Sequence, residues 1–494
     1  MKTLASTTLV AVALLMPTMA FATSPLGVYA HKNSVDQSGI PNNQYTLVTF
    51  NNTKFNGGSY FNTGNSAWAP SAGLVYLSGQ ITITAGASGK NDAQFVAKII
   101  KNGGQDVCAG IGIKGPTAGS AIVPVSCVDN AAAGDSYQIF LYASTDSSVT
   151  VSGNPALTWF SAATLPGSNG AYLTRNSVDQ QNIPNNQFTL VGFNSAKFDV
   201  GGNAVTTTSS WNPPPGPVLL SGQVWLNPGT VDVNGSFVAK VVKNGTKDVC
   251  AGDGTHGSFT GTASIPFSCV DVAVPGDYYQ VYVYASSNAS STINGHPAHT
   301  WFSMATLPSW GAAYAHKNYI DQIGVPNAQF TAVTFGSTRV NVGNYFTSDS
   351  MWAPSAGITM LSGQILLSSG ALTSGGNFTA KIVKNGTTDV CAGLGTYGST
   401  PGSAAIPFSC VDMANTGDRY QVLLYATTNG NGTVASHPAL TWFSAASQPV
   451  SPTSSANSSS VNYDAQVQAL LAQITALKQL LANLLAAKSQ KASL

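Results

Sequence analysis

Six cysteines are the first residues in this chain with types and spacing suited to chemistry. They fall as Cys108 and Cys127, Cys250 and Cys269, Cys391 and Cys410, each pair nineteen residues apart. An even, regularly spaced set in an exported chain reads as three disulfides. Zinc is the rival, because thiolates ligate it, but no histidine stands at ligand spacing from any pair. Histidines recur unevenly. His31 and His316 share a position where the middle copy of an internal repeat has Thr174. His296 and His437 share another, where the first copy has Asn154, while His256 and His299 stand alone. A catalytic base copied three times should not vanish from one copy, so these read as loop histidines. Acids recur more faithfully: Asp36, Asp179 and Asp321; Asp129, Asp271 and Asp412; Asp135, Asp277 and Asp418. Loop carboxylates suit Ca²⁺, yet Asp beside Gly or Asn more often closes a turn on its own backbone, and the turn reading is preferred. HExxH, GxSxG and phosphate-loop motifs are absent. The sequence therefore assigns no catalytic, cofactor or metal residue.

The elements that position these residues come in three copies. "AKIIKNGGQDVCAG" begins at Ala97, "AKVVKNGTKDVCAG" at Ala239 and "AKIVKNGTTDVCAG" at Ala380. Asn102-Gly103, Asn244-Gly245 and Asn385-Gly386 accept the positive φ of a tight turn, so each stretch reads as a β-hairpin carrying the first cysteine of its pair. "QYTLVTF", "LSGQITI" and "SYQIFLYAS" alternate polar and apolar residues as half-buried strands do. The repeat period of 141 to 143 residues is a domain, not a short solenoid unit. The copies span 27–165, 169–307 and 312–447. Many short strands with Gly- and Pro-rich turns predict an all-β fold, three tandem jelly-roll β-sandwiches. Trp68, Trp211 and Trp352 correspond, as do Trp159, Trp301 and Trp442, and these six are expected in the core. Trp225 and Trp310 do not recur; Trp310 lies in a joint, where it meets either a partner or a neighbouring domain.

The ends differ from the middle. Residues 1–22 read as a secretory signal peptide, with an apolar run from Leu9 to Met16 and small residues at Ala20 and Ala22. Residues 448–461 form a Ser/Pro-rich linker. Residues 462–489 read as an amphipathic, coiled-coil-like helix whose heptad seam is Val467, Leu470, Ile474, Leu477, Leu481 and Leu484. Self-association through that seam is preferred over docking on the chain's own sandwiches. Gln468, Gln473, Lys478, Gln479 and Asn483 argue against a membrane span there.

Two stretches together resemble a known superfamily. "VTFNNTKFNGGSYFNTGNSAWAPSAGLVYLSGQI" matches a strand, an Asn-Gly-Gly-aromatic turn and a Pro…Gly-aromatic strand, and "AGDSYQIFLYAS" followed by "TWFSAATL" matches its closing strands. The pattern is that of the complement C1q and tumour necrosis factor jelly-roll superfamily, in the form of its bacterial and phage members. The resemblance covers each copy nearly end to end. Repeat 2 departs from it with "NAVT" at Asn203 and "PPPGP" at Pro213, and no collagen Gly-X-Y stalk is present. Members of the superfamily are usually compact trimers of single-domain chains. The resemblance thus implies a single-chain pseudo-trimer here, which joints of ten residues permit, since they reach at most about 33–36 Å. Three beads on a string is the alternative.

Only 8% of residues are charged and the net charge is +1, which leaves no electrostatic case for nucleic acid. At 43% hydrophobic residues the chain is not disordered. These readings combine into an expectation of a secreted, extracellular or cell-surface, non-enzymatic recognition or adhesion protein. It would bind a surface ligand, glycan or protein, through jelly-roll loops, with no cofactor and no membrane span in the mature form. The alternative is a structural component of a matrix, coat or appendage assembled through the C-terminal helix.

Overall fold

The computed structural model describes residues 27–448 except 85–93, 115–120, 146, 168, 228–235, 257–261, 287–289, 369–375, 398–402 and 429–430. The signal peptide, most of the linker and the expected helix 462–489 with all six seam residues lie outside the described residues.

Each copy folds as a jelly-roll sandwich of two antiparallel sheets. In repeat 1 the back sheet runs Ala121–Ala131, Gly73–Ile83, Trp159–Thr164, Gly27–His31 and Asn52–Asn56. The front sheet runs Phe61–Asn62, Ala67–Trp68, Tyr137–Ser144, Gln94–Lys101 and Gln105–Ile111. The corresponding ladders recur in repeats 2 and 3, where Thr388–Tyr397 bridges both sheets of repeat 3. No α-helix occurs among the described residues. The expected hairpin is present: Lys101 pairs with Gln105 across a turn in which Asn102 and Gly103 take φ of 54° and 72°.

The two sheets differ in what covers them. Tyr137–Ser144 alternates buried and half-buried residues, because one face meets the sandwich core and the other is partly open. Gly73–Ile83 is buried at every position after Gly73. One of its faces packs on its own front sheet and the other on the neighbouring repeats. Close approach at this strand needs a residue without Cβ: at Gly222, on the corresponding strand Gly216–Leu226 of repeat 2, an added Cβ would lie 2.3 Å from the Phe267 ring.

The repeats contact one another cyclically. The Ala109 amide donates to the Ala298 carbonyl (3.1 Å), Ala251 to Ala439 (3.1 Å), and Ala392 to Ala156 (3.2 Å), so repeat 1 meets 2, 2 meets 3, and 3 meets 1. Serine hydroxyls close the same ring, accepting from Val128 (Ser303), Val270 (Ser444) and Val411 (Ser161). Stacked tyrosine–tryptophan pairs cross each boundary. Tyr29 and Trp159 of repeat 1 pack into the core of repeat 3, Tyr172 and Trp301 of repeat 2 into that of repeat 1, and Tyr314 and Trp442 of repeat 3 into that of repeat 2. Their ring centroids are 5.6, 5.5 and 5.5 Å apart. Lys54, Lys197 and Arg339 each reach a carbonyl of the adjacent repeat, at Asp389, Asp106 and Asp248. Trp310 is 2% exposed and belongs to the hydrophobic cluster of repeat 2. Of its two expected roles, packing between domains is the one observed.

Candidate binding grooves between the repeats

The residues that recur in the hairpin build one wall of a groove three times. Across the turn Lys98 meets Asp106 at 2.5 Å, Lys240 meets Asp248 at 2.8 Å and Lys381 meets Asp389 at 2.8 Å. Each ammonium also lies over an aromatic ring, at 4.5 Å from the centroid of Tyr45, 3.9 Å from Phe188 and 4.1 Å from Phe330. A second ring stands beside the first, Tyr142, Tyr284 or Tyr425, at 5.2 to 5.3 Å. The first rings are 42%, 45% and 47% exposed, so each wall offers apolar ring surface beside a neutralised ion pair. Burial works against the charge of Lys98, but Asp106 and Tyr45 outweigh it and hold the ammonium above its ordinary pKa.

The opposite wall comes from the next repeat and is not repeated. Facing Lys98 and Asp106, repeat 2 presents Trp225, His296 and His299. The His299 ring lies 4.3 Å from Trp225, edge-on, and 4.3 Å from His296. Burial, then His296 and Lys98, pushes the His299 pKa down to about 3, so this imidazole is neutral. Facing Lys240 and Asp248, repeat 3 places Leu366, His437 and Leu440 at the corresponding positions; the His437 pKa is lowered by burial, with Asp248 opposing and Lys240 adding to it. Facing Lys381 and Asp389, repeat 1 has the smaller Thr82, Asn154 and Leu157. Here a cavity of about 430 Å³ opens, lined from repeat 3 by Phe330, Asn377, Thr379 and Lys381. That volume lies in the range of small-ligand sites. A second cavity lies where all three repeats meet, walled by Gln80, Gln223, Gln364 and by Trp159, Trp301 and Trp442, but at about 40 Å³ it has room only for a few waters.

The residues singled out in the sequence take other places. Cys108 bonds Cys127, Cys250 bonds Cys269 and Cys391 bonds Cys410. Each bridge ties a front-sheet strand to a back-sheet strand and closes a loop worth about 3 kcal/mol in the chain-entropy model. Asp135 closes its turn by accepting from the Ala132 amide and from Asn102, and Asp277 and Asp418 do the same. Asp36 accepts from the Gly153 amide and Asp179 from Gly295. Asp129, Asp271 and Asp412 are instead buried acceptors for Lys101, Lys243 and Lys384 and for the hydroxyls of Tyr137, Tyr279 and Tyr420. Burial, followed by those aspartates, pushes the three tyrosine pKa values up. His31 is 8% exposed rather than a solvated loop residue, because its Nδ1 accepts from the Asn33 amide at the end of a buried strand. No group of three or more His, Cys, Asp or Glu converges among the described residues. No helix among them is long and apolar enough to cross a membrane.

Sequence reasoning missed the groove wall. The signal is present in the sequence, since Lys98 and Asp106 belong to the stretch written three times, on the same hairpin as the first cysteine of each pair. No family model matches the chain, and no curated protein matches it. A crystal structure of murine APRIL at pH 5.0 is similar to 28% of this chain and 98% of its own length, at 15% identity and a TM-score of 0.22.

Proposed function

We propose that this chain is a secreted, non-enzymatic recognition protein, a single-chain pseudo-trimer that takes a surface ligand, glycan or protein, in the grooves between its repeats. The observation that carries this reading is the cavity between repeats 3 and 1, where an exposed aromatic ring, a neutralised ion pair and polar side chains converge from two repeats. Three disulfides and a surface with few charges fit an extracellular setting. The described lining of the cavity between repeats 3 and 1 pairs hydrogen-bonding groups with apolar surface, which suits the binding of a ligand.

The test is a glycan array and an extracellular-protein array probed with the mature chain. Reproducible, saturable binding to one class supports the recognition reading. Fibres or sheets by electron microscopy, with no ligand on either array, would replace it with the structural role assembled through residues 462–489.

A further inference from the structure

We infer that the groove between repeats 3 and 1 is a single-occupancy site for one neutral, hydroxyl-rich ring of pyranose type, and that the equivalent site between repeats 1 and 2 is filled by the protein's own side chains. This rests on the recognition reading above and narrows it to one groove and one chemical class.

Three features of the lining select the ligand. The first is charge. Among the described residues that line the cavity the charged ones are Lys381 and Asp389, and they pair at 2.8 Å. Among these residues an ionic ligand would meet no uncompensated partner, and it would lose its hydration on entry. The second is hydrogen-bonding sense. Thr82 and Thr84 already donate their hydroxyl protons, to the Leu157 and Thr150 carbonyls, which leaves oxygen lone pairs. The Asn154 carbonyl oxygen accepts from the Ala156 amide, and its Nδ2 has no partner among the described residues. A ligand must therefore both donate and accept at closely spaced positions, as vicinal hydroxyls do. The third is the apolar surface. Leu157, Ala156 and Leu394 line the same cavity as the half-exposed Phe330 ring. A pyranose has an apolar C–H face for such a surface and hydroxyls around its edge for the polar groups.

The comparison of grooves supplies the stoichiometry: between repeats 2 and 3, Leu366 stands where repeat 1 has Thr82, so that hydroxyl acceptor is missing there. Thr82 and Leu157 correspond to Trp225 and His299 in repeat 2, and those two rings pack edge to face at 4.3 Å. Trp225 is buried although it faces a boundary between repeats. The large rings occupy the position that threonine and leucine leave open on the other side of the ring.

Isothermal titration and ligand-observed NMR with free glucose, galactose, mannose, fucose and N-acetylglucosamine test this on the mature chain, with glucuronate as the charged control. Saturable binding of a neutral sugar is expected at one equivalent per chain, with glucuronate weaker. Carrying the repeat 2 residues into repeat 1, Thr82→Trp with Leu157→His, should abolish it. The reverse pair in repeat 2, Trp225→Thr with His299→Leu, should raise the stoichiometry to two. Phe330→Ala, at an exposed position that folding tolerates, should weaken binding at least tenfold. Three equivalents in the parent chain, or unchanged binding after both Thr82→Trp/Leu157→His and Phe330→Ala, would overturn the inference. Positive arrays with no monosaccharide bound would leave the recognition reading intact and sink this one.

Discussion

The centre of the molecule and its grooves solve the same assembly problem with opposite tolerance for change. At the centre, Gln80, Gln223 and Gln364 donate to the carbonyls of Leu157, His299 and Leu440 at 2.9 to 3.0 Å, and the three stacked tyrosine–tryptophan pairs repeat with ring centroids 5.5 to 5.6 Å apart. In the grooves the hairpin wall repeats, but the facing wall runs from Thr82 to Trp225 to Leu366. A residue at the centre is packed on every side by protein, so a changed volume is felt by neighbours that cannot move away. A residue on a groove wall has solvent on one side. The difference teaches where a threefold arrangement built into one chain specialises most freely: at its margins, one boundary at a time.

The largest test of that contrast removes a crossing tryptophan. Trp301→Ala should cost about 3–5 kcal/mol, since the ring fills the core of repeat 1 while its backbone belongs to repeat 2. Urea unfolding should show the loss, and a change below about 1 kcal/mol would mean that the crossing contacts are incidental. Next comes Asp253, an acid at the boundary of repeats 2 and 3 where the other copies have Ile111 and Leu394. Its amide donates to Gln364 Oε1 at 2.9 Å, and burial of its carboxyl pushes the pKa from 3.8 to about 7. The unfolded chain releases this proton near pH 4 and the folded chain only near pH 7. The stability contribution is therefore full below pH 4 and is lost as pH rises through 7, by at most about 4 kcal/mol. Asp253→Leu should flatten that part of the pH–stability curve and stabilise the protein at pH 8. An unchanged slope between pH 4 and pH 8 would show that the carboxyl is not buried in solution.

A smaller effect is expected from Tyr76→Phe. The Tyr76 hydroxyl bonds the buried Ser268 of repeat 2 at 3.2 Å and also the half-buried Ser409 of repeat 3, so its removal takes one partner from each, at about 1–3 kcal/mol. A denaturation midpoint equal to that of the parent would argue that water replaces it. The smallest change in stability belongs to the groove. Phe330→Ala should stay within about 1 kcal/mol in the same assay, because half of the ring already faces solvent. A larger loss would make this ring part of the core and remove the contrast.

The sequence made some of this arrangement legible and hid the rest for physical reasons. The three copies, the Asn-Gly hairpins and the cysteine spacing are local patterns, and each has its counterpart in the structure. The six recurring tryptophans are buried, as expected, but three of them lie in a neighbour's core, which no local pattern encodes. Gly73–Ile83 shows why: its alternation describes one covered face, and the second face is covered by residues such as Ser409, more than 300 positions away. In the hairpin register Asp106 stands opposite Ile100 and Lys98 opposite Ala109, so the ion pair is a diagonal contact on the far side of a bulge between Ile99 and Ile100 that the sequence does not announce. Their groove is hidden as well, because its other wall comes from another repeat.

Tyr76 carries a further consequence. Its counterparts are Leu219 and Met360, so one hydroxyl serves serines from both other repeats without being matched by two more. An assembly of three identical chains cannot make that choice, for any side chain that reaches the meeting point arrives there in triplicate. Joining the copies end to end lifts that restriction. Each copy can then mutate alone, and a tandem gene can explore unequal interiors that are closed to a gene encoding one subunit.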